Sequence, residues 1–160
     1  MAHTYLKSLL FFFVISLLFT QCSTSSNVSR ATTLQSGLDA DPKLSTFNSL
    51  VNTLGGIDKV LSNSSQKHTL FVPTNEAFDL LGQKLLDNLS LPDNHDVLKG
   101  ILQSHITEGV HNAAELQKTP QALMSIFETP IDLANNSAQI VYSVKARNGM
   151  IHVIDKVIQR

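Results

Sequence analysis

The sequence has no tryptophan, a single cysteine and few aromatics, which make up 6% of its 160 residues. One cysteine excludes an internal disulfide framework and any zinc site built from several thiolates. An excess of either charge is also missing. Lysine and arginine total 12 against 13 acids, a formal net charge of −1, so there is no basic footprint for nucleic acid. No apolar run reaches the ~20 residues that span a hydrocarbon core, and no segment repeats. What is present is an ordinary apolar share of 42%, which argues against a disordered chain. The length suits one domain with short extras.

That apolar share is unevenly placed. Lys7 precedes Leu9–Phe19, which is apolar except for Ser16. A short basic start followed by an apolar run of this length reads as a secretory signal peptide over residues 1–21. The run ends in Leu17-Leu18-Phe19-Thr20-Gln21-Cys22 and then turns polar. This resembles the lipobox of a bacterial lipoprotein, in which cleavage leaves the cysteine as a lipid-bearing N-terminus. Gln21 departs from the small residue usual before that cysteine, and ordinary signal cleavage near Cys22 is the other reading. Ser23–Gly37 is rich in Ser, Thr and Asn and reads as a flexible tether, assigned to residues 22–39 with a span of roughly 23 Å. Acyl chains at about 0.8 kcal/mol per buried CH₂ would anchor the domain firmly.

The folded part is assigned to residues 40–160. Leu44, Phe47, Leu50, Val51 and Leu54 recur at helical spacing until Gly55-Gly56 stops the run. Ile57, Val60 and Leu61 suggest a second short helix. Thr69–Val72 reads as a strand that Pro73 ends, and Thr74 as the cap of a helix from Asn75. Pro92-Asp93 opens a helix with Val97, Leu98, Ile101 and Leu102 on one face and His105 at its end. Asn112 and Glu115 have capping-box spacing. Strands are expected over Leu123–Phe127, Pro130–Leu133 and Ala138–Ala146. Asn148-Gly149 is read as a hairpin turn of positive φ, with Met150–Ile158 returning as a strand buried on both faces. Helices first and strands later predict an α+β fold.

Three segments together resemble the fasciclin domain family. Thr69-Leu70-Phe71-Val72-Pro73-Thr74-Asn75-Glu76-Ala77-Phe78 is similar to its first signature, and Asn148-Gly149-Met150-Ile151-His152-Val153-Ile154-Asp155-Lys156-Val157-Ile158 to its second. Between them, Leu102-Gln103-Ser104-His105-Ile106 resembles a central tyrosine-histidine segment, with Ser104 where the tyrosine would stand. The resemblance implies a wedge or sandwich of β-strands decorated by several α-helices, and a non-enzymatic adhesion or matrix-binding module. Some members bind proteins, and a few bind apolar pigments. Asp96-Val97 lies where some members carry an Asp-Ile adhesive dipeptide, so Asp96, Val97 and His105 are the candidate adhesive residues.

The signature positions Thr69, Leu70, Phe71, Pro73, Thr74, Asn75, Phe78, His105, Gly149, Ile151, His152, Val153 and Asp155 are read mainly as structural, because periodic apolar residues build cores. His105 and His152 sit in apolar contexts and are read as hydrogen-bonded core residues. No H-E-x-x-H or G-x-S-x-G motif is present. Asp93/Asp96 and Asp79/Asp87 are ordinary helix-start or solvated acids. Asn27, Asn63, Asn88 and Asn135 head glycosylation sequons that carry little weight in a bacterial host. No catalytic residue, metal or cofactor is expected. The expected function is a membrane-tethered interaction module in the bacterial cell envelope, periplasmic or at the surface. Its partner would be a protein, matrix component or surface glycan. The alternative is a carrier of an apolar small molecule such as a pigment.

Overall fold

The computed structural model describes residues 33–118, 123–133 and 136–158. The signal segment, Cys22 and the sequons at Asn27 and Asn135 lie outside the described residues. Helices α1 (Leu34–Ala40), α2 (Ser45–Leu54) and α3 (Ile57–Ser62) lead into strand β1 (His68–Pro73). Helices α4 (Asn75–Asp79), α5 (Gln83–Leu89) and α6 (His95–Gln103) follow, then β2 (Ile106–Glu108) and helix α7 (Ala113–Lys118). The short β3 (Leu123–Met124) and β4 (Pro130–Ile131) pair with each other, and the chain closes with β5 (Ile140–Ala146) and β6 (Gly149–Ile154).

Helix α1 corrects the tether, which was expected to run through residue 39. Leu34 and Leu38, four apart and so on one face, are both fully buried. Thr33 forms a capping box with Ser36: each backbone N–H is accepted by the other's side-chain oxygen, at 2.8 and 3.2 Å. Two leucines on one face suffice to dock a seven-residue helix, although the composition around them is polar.

The main sheet has the order β2-β1-β6-β5, with β1–β6 parallel and the outer pairs antiparallel. The two central strands carry the two signatures side by side, from His68 opposite Gly149 to Pro73 opposite Ile154. Side chains alternate across a strand, so Leu70, Val72, Ile151 and Val153 face the helices and join Phe47, Val51, Leu98 and Leu102 in the main core. On the other face, Phe71 and Ile154 form a smaller core with Ile131 and Ile158. A bulge between Ile140 and Tyr142 lets Ile140 join this second core while Tyr142 packs on the first.

Several expectations need correction. The hairpin loop is Arg147-Asn148, and Gly149 is already in β6, paired with Ala146. Asn148 is not among the residues with positive φ. Gly149 is required for close approach, because a Cβ there would lie 1.8 Å from the His68 carbonyl oxygen. The returning strand stops at Ile154, not Ile158. Val157 and Ile158 are buried without being strand, one in each core. The strand expected over Leu123–Phe127 shortens to two residues. Val97 is 57% exposed, since Leu98 and Leu102 set the buried face of α6 and a neighbour in sequence turns ~100° away.

Candidate functional site

The buried histidines are the natural starting point for any chemistry, and both signature histidines are consumed by the fold. His105 follows α6 directly and is fully buried. Its Nε2 lies 3.2 Å from the backbone N of Ile158, which can only donate, so Nε2 accepts and the proton sits on Nδ1. Nδ1–H then donates to the Ile101 carbonyl at 2.7 Å. Burial pushes the imidazole pKa down to about 4, partly opposed by the Ile101 carbonyl. The ring packs on Phe47 with centroids 5.8 Å apart. A neutral, doubly bonded and enclosed imidazole cannot reach a partner, so His105 is removed from the candidate adhesive set.

His152 is treated similarly on the opposite face. Its Nε2–H donates to the His111 carbonyl at 2.8 Å, and its Nδ1 accepts from Ser143 Oγ at 2.7 Å. Its pKa is lowered, first by burial and further by the nearby His111 ring, against the His111 carbonyl. It thereby joins β5, β6 and the loop before α7. His68 differs: it is 5% exposed, and neither ring nitrogen has a partner among the described residues.

The polar signature residues are fold connectors. Thr74 Oγ1 accepts from the Ala77 N–H and caps α4. Asn75 reaches across to α2, where its Oδ1 accepts from the Thr46 N–H at 3.0 Å and its amide donates to the Pro42 carbonyl. It supplies the cap that Leu44, at the N-cap position of α2, cannot. Asp155 holds the start of β5 by accepting from the Gln139 N–H at 2.7 Å.

Asn148 has a role that reading it as a turn residue did not find. It is fully buried; its Oδ1 accepts from the Leu34 N–H at 2.8 Å, and its amide donates to the carbonyls of Leu61 and Asn63. One side chain thus joins the start of α1, the end of α3 and the hairpin. No sequence signal could have found it, because its partners lie 85–114 residues away.

Two surface features remain. An open depression of about 670 Å³ lies between β2, α7 and β3, lined by Glu108, His111, Glu115, Leu116, Met124 and Glu128 among others. Met124 is 52% exposed there. A second cavity of about 460 Å³ lies against α5 and α6, mostly apolar, with the exposed Asp96 and Val97 in its wall. The structure therefore keeps Asp96 and Val97 together at the surface while separating them from His105. Among the described residues, no cluster of His, Cys, Asp or Glu could hold a metal ion.

The model of the fasciclin domain matches residues 42–160, which include both central strands and the helices between them. The chain belongs to the fasciclin domain family. It is 36% identical over 120 residues to protein sll1483 of Synechocystis, a match covering 71% of this chain and 67% of that protein. It is 30% identical over 139 residues to the cell surface glycolipoprotein MPB83 of Mycobacterium bovis, covering 84% of this chain and 57% of that one. The FAS1 domain pair of the insect cell adhesion molecule fasciclin I shares the fold, with a TM-score of 0.67 and 20% identity over 81% of this chain and 51% of that chain. The chain thus spans little more than half of the glycolipoprotein and about half of the domain pair. Fasciclin domains are associated with adhesion and surface proteins and are generally non-enzymatic. Among the described residues of this one, no helix is long and apolar enough to cross a membrane.

Proposed function

We propose that this fasciclin domain is an exported, non-catalytic interaction module, tethered to a membrane of the bacterial envelope through lipid on Cys22. The observation that carries the interaction reading is the open depression beside β2. It combines exposed apolar surface at Met124 with Glu108, Glu115 and Glu128, and among the described residues no lysine or arginine lines it. Mixed apolar and single-sign surface suits a protein or matrix partner of basic character, bound by shape and charge. Helix α1 is docked from Leu34, so the proposed tether shortens to residues 22–33. The test is binding of the purified protein to a panel of envelope proteins, matrix components and surface glycans. Saturable binding without turnover is expected, and silence across the panel would sink the reading.

A second reading, carriage of an apolar small molecule, is favoured by the other cavity. At about 460 Å³ and mostly apolar, it falls in the size range of ligand pockets. Extraction of the natively purified protein and mass analysis of what it releases would test this. A bound apolar compound is expected, and an empty extract would count against the reading.

A further inference from the structure

We propose that the cavity against α5 and α6 binds a single-chain amphiphile whose head group is neutral or cationic, with the alkyl chain inside and the head beside Asp96. The inference rests on the carrier reading and adds the chemistry of the ligand. The floor is apolar and closed: Leu50, Phe78, Leu98 and Ile158 line it and are all buried. At about 30 Å³ for each water-sized group, the volume holds a chain of roughly fifteen such groups. Gly100 also lines the wall from the interior of α6.

The rim carries exposed apolar surface: Leu85 is 43% and Val97 57% accessible. Such surface gives an alkyl chain an apolar approach to the mouth. The polar side chains of the lining both act as acceptors. Asp96 is its one charged residue among the described residues, and Ser104 already donates its hydroxyl proton to the Ile101 carbonyl at 2.7 Å. A ligand must therefore bring the donors, as a hydroxyl or ammonium head does. A carboxylate head would meet like charge at Asp96 and find no donor among the described lining side chains.

Calorimetric titration of the purified protein with dodecyltrimethylammonium, dodecyl maltoside and dodecanoate, each below its micelle concentration, tests the assignment. The cationic and neutral amphiphiles are expected to bind, with dodecanoate weaker by about two- to fivefold. Asp96→Asn, at an exposed helix start, is expected to erase that gap. Ser104→Leu fills the cavity from within, and Val97→Trp covers it from the exposed rim without touching the core. Either folded variant is expected to lose binding of all three. Equal binding of dodecanoate, or a gap that survives Asp96→Asn, would overturn the head-group assignment and leave the carrier reading standing. If none of the three binds, or if binding survives Val97→Trp, the site fails and the carrier reading fails with it.

Discussion

His105 sets part of the acid sensitivity of this domain. Its folded pKa of about 4 lies below the ordinary imidazole value of about 6.5, so the unfolded chain takes up the proton first as pH falls. The associated stability is fully present above pH ~6.5 and is lost as pH falls toward 4, in total about 3 kcal/mol. Urea unfolding at pH 7 and pH 4 should show this loss, and His105→Gln should be less stable at pH 7 and lose less on acidification. His68 makes the opposite case. Its buried ring nitrogens have no partner among the described residues, and replacing an unsatisfied polar group by an apolar one of similar size is neutral or favourable. His68→Leu is expected to raise stability by about 1 kcal/mol, read from the denaturation midpoint; a loss above that size would contradict this account of His68.

The elements show what local sequence can and cannot carry. The helix over Ser45–Leu54, its stop at Gly55 with φ 64°, the Thr74 cap and the reciprocal Asn112–Glu115 hydrogen bonds were legible, because each is fixed by residues within a few positions. Helix α1 was not, since its two buried leucines are diluted by polar neighbours and its anchor is Asn148. The same limit hid the role of Gly149, whose constraint comes from His68 on a parallel strand. Of the candidate adhesive residues, the exposure of Asp96 depends on which face of α6 docks, and the burial of His105 on where α6 ends. Asn148→Ala would leave three backbone partners without their hydrogen bond, two of them buried, and is expected to cost about 2–4 kcal/mol. Starting the chain at residue 41 in place of 33 would remove α1, and the shorter form should melt at lower temperature. Equal melting would show that α1 is not part of the stable unit.

At the scale of the whole molecule, a domain with both signature histidines locked into the fold offers its surface for function. Attachment to a membrane would come from the chain before Thr33, so Cys22→Ala is expected to abolish lipid labelling and release the protein to the soluble fraction. A labelled Cys22→Ala protein would contradict the anchor. The central claim, recognition of a partner at the acidic depression, is tested most directly by comparing the wild-type protein with Met124→Lys in equilibrium binding to the panel. Met124 is half-exposed, so the variant should fold normally. Saturable binding by the wild type, weakened about tenfold or more in the variant, corresponds to at least about 1.4 kcal/mol and is the result the account requires. No binding by the wild type, or equal binding by both, would contradict it.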